Sequence, residues 1–399
     1  MSQLQSLIED LCPAGIEYAT LESLGSFYSG LSGKSKEDFK DGNAPFITYM
    51  NVFSNPSLNL DVTDRVKIAD GEKQNTIQKG DILFTGSSET PDECGMSSVV
   101  MDTPNESSYL NSFCFGFRFY DSSLFDLVFL KHLFRSTEIR KAIAGTASGV
   151  TRFNVSKKRF ARIAIPVPPI EVQRKIGEVL DNFSELTAEL TAELTARRKQ
   201  YEYYRDNLLS FNNINRGGQG EVKWLPLKMC CAIVKGEYLT KKDAEVGSIP
   251  VILGGQQPAY YINRANHHGK AVVVSRSGAS AGYVSWWDEP IFVTDGFLIE
   301  SGNAIRPRFL YHYLKNMQTE LNNMKRGSGV PHITGEMLSE ILLPLIPLAS
   351  QDSIIDTLDM FDSLVTSLTD GLPAEIKARQ QQYEYYRDKL LTFKRKEIA

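Results

Sequence analysis

The sequence predicts an α+β protein. Two globular mixed α/β domains are separated by two long antiparallel coiled-coil helices, and a pseudo-two-fold internal repeat relates the halves. Three observations carry this. The segment Gln200-Tyr-Glu-Tyr-Tyr-Arg-Asp-Asn-Leu-Leu-Ser-Phe211 returns as Gln382-Tyr-Glu-Tyr-Tyr-Arg-Asp-Lys-Leu-Leu-Thr-Phe393, with ten of twelve positions identical. Ahead of each copy, apolar residues recur at alternating steps of four and three, the spacing of a coiled-coil seam. Ahead of each seam lies a block of short apolar runs punctuated by Gly, Pro, Asn and Ser, the pattern of strands and turns. The boundaries that follow are 1–165 for the first block, 166–213 for its helical tail, 214–344 for the second block and 345–399 for its tail.

Bulk properties agree with that division. A chain of 399 residues suggests two or more domains. Hydrophobic content of 42% and charged content of 23% are ordinary for a soluble protein. The net charge of −4 gives no global nucleic-acid signal, although charge can be segregated. The five cysteines form no C-x-x-C pair, which points to reduced thiols in a cytoplasm. The N-terminus lacks the basic and apolar regions of a signal peptide, and no run of 18 apolar residues occurs.

In the first block, Phe46–Tyr49, Asp81–Phe84, Ser98–Met101 and Phe113–Tyr120 read as strands, and Leu124–Ile143 as one helix ended by Gly145. Gly30-Leu-Ser-Gly33-Lys34-Ser35 is not a phosphate-binding P-loop, because Tyr28 stands where that motif needs its first glycine. From Ile139 to Ile170 there are seven basic residues and no acid. Beside the Gly145-Thr-Ala-Ser-Gly149 loop, this stretch reads as a phosphate-facing surface or as a merely solvated face.

The first tail starts after Pro166, Pro168 and Pro169, with Glu171 in the first helical turn. Its seam runs Ile176, Leu180, Phe183, Thr187, Leu190, Leu194, Arg197, Tyr201, Tyr204, Leu208 and Phe211. Within it, Thr187-Ala-Glu-Leu is followed directly by a second Thr-Ala-Glu-Leu ending at Leu194. A four-residue unit is out of step with a heptad, and each one adds about 6 Å of helix.

The second block follows a linker, Asn212–Gly220, and repeats the mixed pattern, with strands at Ile249–Leu253, Ala271–Val274 and Gly282–Trp287 and a helix at Pro307–Lys325. Its stretch Ser248–Trp287 is also basic and free of acid, and its loops are rich in the Arg, Asn, Gln and Ser that read base edges. His267-His268 is a poor metal pair, since adjacent strand residues face opposite ways. His132 and His312 hold equivalent helix positions. The second tail repeats the seam through Ile354, Leu358, Phe361, Val365 and Leu368. It then carries an insertion, Gly371-Leu-Pro373-Ala, where the helix should break and restart.

Further correspondences join the halves: Gln173 with Gln351, Ser148-Gly149-Val150 with Ser328-Gly329-Val330, and Tyr18-x-x-Leu21 with Trp224-x-x-Leu227. This assembly of variable blocks, Ser-Gly-Val loops, Pro-rich steps and long helical repeats resembles the specificity (S) subunit of type I restriction-modification systems. The tandem Thr-Ala-Glu-Leu units look like the mark of the type IC subfamily. The resemblance implies that each block is a target recognition domain reading one half of a bipartite DNA sequence. It implies that the helices set the spacer and dock two methyltransferase subunits, joined in the full complex by restriction subunits. It further implies no catalytic residue and no cofactor here, with S-adenosylmethionine, ATP and magnesium belonging to those partners.

Candidate DNA-binding residues are Lys34, Lys36, Arg152, Asn154, Lys157 and Lys158 in the first block. In the second they are Gln256, Gln257, Arg264, Arg276, Ser277, Lys325, Arg326 and His332. Candidate helix-core or partner positions are Leu180, Phe183, Leu190, Leu194, Tyr201, Tyr204, Leu358, Phe361, Tyr383 and Tyr386. Two other readings stand beside this one. A coiled-coil adaptor explains the tails but not the paired basic stretches. A stand-alone DNA methyltransferase would need an Asn/Asp-Pro-Pro-Tyr/Phe motif, which the sequence lacks.

Overall fold

The computed structural model describes residues 6, 8, 10–211, 222–239, 245–255, 257–327, 329–367 and 371–396. The predicted linker Asn212–Gly220, Gln256 and Ser328 lie outside them. The chain divides into two compact units: Met1–Glu189 with Ile376–Ala399, and Leu190–Glu375. Among the described residues, no helix is long and apolar enough to cross a membrane.

In the first unit, strand Tyr18–Thr20 pairs antiparallel with Ala164–Pro166, Tyr18 opposite Pro166. Leu21, fully buried, then opens a one-turn helix that leads into strand Gly25–Ser29. This is the edge of a four-stranded sheet ordered Gly25–Ser29, Cys114–Phe119, Ile82–Thr85, Ser97–Val99. Phe84, Phe115 and Phe117 on this sheet pack with Phe129, Leu130, Phe134 and Ile139 of the following helices. A smaller sheet joins Arg65–Val66, Ala44–Ile47 and Tyr109–Leu110, the last pair parallel.

The second unit repeats this step for step. Trp224 lies opposite Pro344, buried Leu227 opens a one-turn helix, and strand Cys231–Lys235 follows. The large sheet is ordered Cys231–Lys235, Gly296–Ser301, Ala271–Ser275, Val284–Trp287. The small one joins Tyr260–Ile262, Val246–Ile252 and Phe292–Val293, again with one parallel pair. The blocks therefore share a topology where their sequences share little, because a strand needs only an apolar inner face of suitable volume.

Each helix predicted after the large sheet is in fact two. Leu127–Leu133 and Thr137–Ala144 are separated at Ser136, whose backbone is extended (φ −70°, ψ 152°). The Ser136 hydroxyl donates to Leu133 O, and Arg135 turns its guanidinium onto the carbonyls of Ser97 and Phe53. Pro307–Asn316 and Gln318–Asn323 are separated at Met317, and the Gln318 amide donates to Gly282 O. The apolar period runs through both breaks because both helices of each pair lie on the same core.

The first tail is one helix, Ile170–Leu209, about 60 Å long at the helical rise. It passes from one unit to the other within the Thr-Ala-Glu-Leu repeat, between Glu189 and Leu190. The second tail is two helices, Leu348–Thr366 and Leu372–Leu391, so the insertion does restart the helix with proline in its first turn. A β-carbon on buried Gly371 would sit 2.7 Å from Ser363 O, so only glycine fits that close approach. In the first unit Phe183 stacks on Tyr386, and in the second Tyr204 stacks on Phe361.

Two buried polar contacts recur at each block–helix junction. Gln173 donates to Leu124 O and Pro168 O and accepts from Asp126 N; Gln351 donates to Ala304 O and Ile346 O and accepts from Arg306 N. His132 Nε2 lies 2.8 Å from Asp181 Oδ1, and His312 Nε2 lies 2.6 Å from Asp359 Oδ1. Burial holds both imidazoles below the ordinary histidine range, partly opposed by the neighbouring carboxylates.

Replacing Gln173 or Gln351 with Leu removes three hydrogen bonds to backbone groups, one of them fully buried, and should destabilise the protein by roughly 2–4 kcal/mol; urea unfolding measures it. The histidines give a pH dependence of known sign. A folded-state pKa below the unfolded one, about 6.5, means that stability is full above that pH and is lost as the pH falls. His132→Gln should therefore flatten the change in unfolding midpoint between about pH 7 and about pH 5.

Candidate nucleic-acid interface

In the first unit the predicted residues gather on one small antiparallel ladder. Strand Phe153–Val155 is central, with Ala147–Ser148 on one side and Ser87–Ser88 on the other. Asn154 pairs with Ser148 and with Ser87. Side chains alternate along a strand, so Arg152 and Asn154 share the exposed face. The Arg152 guanidinium crosses to Ser87 Oγ at 3.2 Å and lies 5.3 Å from the exposed Phe113 ring. Ser156 caps the one-turn helix Lys157–Phe160, which puts Lys157 and Lys158 at the end of the central strand. Lys157 reaches Ser29 Oγ and covers the Phe115 ring, and partial burial lowers its pKa. Lys158 is exposed and meets no carboxylate among the described residues.

The hairpin turn depends on Gly149, whose φ is +153° and where an added β-carbon would lie 2.0 Å from Arg152 O. The second unit builds the same feature from shorter pairings. His332 bridges Arg326 on one side and Ser277 on the other, and Gly327 turns the hairpin with φ +112°. Val155 N donates to Gly86 O in the first unit, and Ile333 N donates to Arg276 O in the second. By this register Ser148, Gly149 and Asn154 correspond to Arg326, Gly327 and His332. The equivalence of the two Ser-Gly-Val triplets is thus displaced by two residues: identity of letters matched them, but the ladder does not.

The remaining predicted residues divide. Arg276 and Ser277 both bind Asp295, Arg276 through Nε at 2.7 Å. Lys325 donates to Ala279 O, and Gly254 closes on the same group, its β-carbon position 3.5 Å from Asp295 Oδ2. Gly254, Arg276, Ser277, Ala279, Asp295, Lys325, Arg326 and His332 are therefore one cluster, and Gln257 is exposed three residues beyond Gly254. Arg264 lies over the Phe292 ring, and Lys36 is exposed on the turn Lys36–Phe39; neither is hydrogen-bonded to a ladder. Lys34 faces inward, with its ammonium 2.6 Å from both Glu72 Oε2 and Lys67 O and its side chain 9% exposed. That pairing holds the Glu72 carboxyl down at about 2, mainly through the Lys34 hydrogen bond.

Three features escaped sequence reasoning. Stretches free of acid in sequence are not free of it in space, since Asp295, Asp288 and Glu300 come in from other segments to Arg276, Lys270 and His267. Several of the basic residues are structural. Arg140 is pushed down to about 10 by burial and donates to the carbonyls of Asp92, Cys94 and Gly95, bracing the loop beside the ladder. Arg306 and Arg308 bind Asp352, Asp359 and Asp362 on the tail helix. Finally, Tyr203 and Tyr385 stand on the outer helix face, 66% and 61% exposed, while Tyr201, Tyr383 and Tyr386 are half-buried and Tyr204 is 40% exposed.

Comparison with known proteins agrees with the duplication. A model of the Type I restriction modification DNA specificity domain matches residues 13–197 and again 221–378. A putative type I restriction enzyme specificity subunit of Haemophilus influenzae is 31% identical over 268 residues, covering 62% of this chain and 68% of that one. The EcoR124I/EcoR124II specificity subunit of Escherichia coli is 33% identical over 275 residues, covering 62% and 66%. The S subunit of the type I restriction-modification system of M. genitalium shares the fold at a TM-score of 0.60 and 19% identity, over 96% of this chain and 97% of that one. A chain from a type I R-M system solved for its complex assembly shares it at 0.61 and 16% identity, over 94% and 97%.

These placements separate two lysine classes. Lys34→Ala should leave the salt dependence of DNA binding unchanged, because that ammonium is consumed by Glu72. Replacing Lys157 and Lys158 together with Ala should lower the log–log salt slope by about two. Titration of a labelled duplex at several salt concentrations checks both.

Proposed function

We propose that this chain, which belongs to the type I restriction-modification DNA specificity family, recognises DNA through the two ladder clusters and serves as the assembly core of its complex. It is a recognition subunit, without a catalytic role of its own. One observation carries the reading: the same ladder, of the same register, is built twice, with exposed Arg152, Lys157 and Lys158 on or beside the first and exposed Arg326 on the second. Duplicated topology with unequal loops suits two half-sites of different sequence. The target recognition domains are 1–165 and 214–344, and the helical spacers are 166–213 and 345–399.

The partners are two methyltransferase subunits, with restriction subunits joining through them. Support comes from the outer helix faces. Tyr201 and Tyr383 are identical between the copies because both pack inward. Tyr203 and Tyr385 are identical with no such internal reason, which suits one surface met twice by the same kind of partner. The spacer role rests on the continuous helix Ile170–Leu209 and its Thr-Ala-Glu-Leu units.

The test is retention of duplexes from a random pool, with the methyltransferase subunits of the same system present. The retained duplexes should share two half-sites at one fixed separation; a pool recovered without enrichment sinks the reading. A third Thr-Ala-Glu-Leu inserted after Leu194 should widen the separation by one or two base pairs, since about 6 Å of helix meets about 3.4 Å per base pair. Altered bases within either half-site would contradict the division between reading blocks and spacer.

A further inference from the structure

We infer that the exposed side chains aligned across each ladder are the base-reading row of their half-site, and that the rows read different base pairs: Ser148 with Asn154 an A·T pair, and Arg326 with His332 a G·C pair. This rests on the DNA-reading function proposed above and names the residues that give it specificity.

The position argument comes from the register. Directly paired residues on neighbouring strands present their side chains to the same face. Asn154 pairs with Ser148 and Ser87, and His332 pairs with Arg326 and Ser277. The Arg152–Ser87 hydrogen bond confirms the face, since Arg152 lies two residues from Asn154 on the same strand. Asn154, Ser148, Arg326 and His332 are all exposed. Their backbone groups are committed to the ladder, with Arg326 N donating to His332 O and His332 N to Arg326 O. These four side chains stand in solvent while the strand holds them in place; the third position on each face is committed, Ser87 buried beneath Arg152 and Ser277 bound to Asp295. Lys157 and Lys158 adjoin the first row at the place where phosphate contacts would fix its depth.

The chemistry argument comes from composition. The first row is itself neutral, and the Arg152 guanidinium beside it is engaged by Ser87 Oγ and the Phe113 ring. A side-chain amide offers one donor and one acceptor in a plane, which matches adenine N6 and N7. The second row carries a guanidinium and an imidazole. An arginine fork matches the paired acceptors O6 and N7 of guanine, and a serine hydroxyl already bound to Asp295 cannot compete for it. The scaffold is shared, so the difference in bases read follows from these side chains.

The experiment is selection from a random duplex pool with the methyltransferase subunits present, each half-site scored separately. Asn154→Ala should flatten the preference at one A·T position of one half-site by roughly 10- to 100-fold and leave the other half-site and the salt slope unchanged. Asn154→Gln, which keeps the amide, should retain the adenine preference at that position. Arg326→Ala should flatten one G·C position of the other half-site by a similar factor. The inference is overturned if Asn154→Ala lowers affinity equally for all sequences with a shallower salt slope, which marks a phosphate contact. It is also overturned if the half-site preference of either alanine variant is unchanged while melting shows it folded. If the unsubstituted chain selects no sequence, the DNA-reading function itself falls, and that outcome is distinct from both.

Discussion

Each block is tied to its helix by one side-chain amide, buried where the proline step becomes the first helical turn. A loop entering a helix leaves carbonyl and amide groups without partners, and burying them unpaired is costly. Gln173 and Gln351 each supply two donors and one acceptor to those groups, and both are completely buried. No apolar residue can replace that pattern. The direction in which each helix leaves its block is thereby set by a contact that does not involve the reading loops, and the loops are free to differ.

The repeat is close at these junctions and looser around them. His132 and His312 each meet an aspartate on the tail, Asp181 and Asp359. The cation on that aspartate is Lys131 in the first unit and Arg308 in the second, drawn from different turns of the helix. The Tyr383 hydroxyl lies 2.9 Å from His132 Nδ1, whereas His312 Nδ1 has no hydrogen-bond partner among the described residues. Asp388 of the repeated motif caps the helix at Thr137, taking its backbone amide and its hydroxyl. The motif therefore does more than continue a seam: in the first unit it clamps a helix of the globular block onto the tail.

Much of this was legible from residue order. Gln173 and Gln351 stand 178 positions apart and occupy matching environments, as do Tyr18 with Leu21 and Trp224 with Leu227 at the two starts. Tail periodicity, the helix restart near Pro373 and the strand runs were all readable, because period and proline act locally. Charge was less legible, since a stretch without acids says nothing about carboxylates arriving from another strand, as Asp295 does at Arg276. Helix breaks at Ser136 and Met317 were invisible because the apolar period continues across them. The inward turn of Lys34 depends on Glu72, which a reading of the Gly30–Ser35 loop by itself does not include.

If the ladder is the recognition surface proposed above, its construction lets that surface change without disturbing the fold. In both units the pairing is made by backbone groups, and the hairpin asks only for a glycine at its turn, Gly149 or Gly327, where φ is positive. The exposed side chains across the row, Ser148, Asn154, Arg326 and His332, take no part in that backbone pairing, so their chemistry can vary. The loops beside them need bracing, and each unit supplies it with a cation aimed at carbonyl oxygens: Arg140 onto Asp92, Cys94 and Gly95, and Lys325 onto Ala279. A carbonyl acceptor exists at every residue, so such a brace survives substitution of the loop's side chains. On the proposed reading, specificity and stability rest on different atoms of the same few residues, which is the arrangement a reader of variable sequence requires.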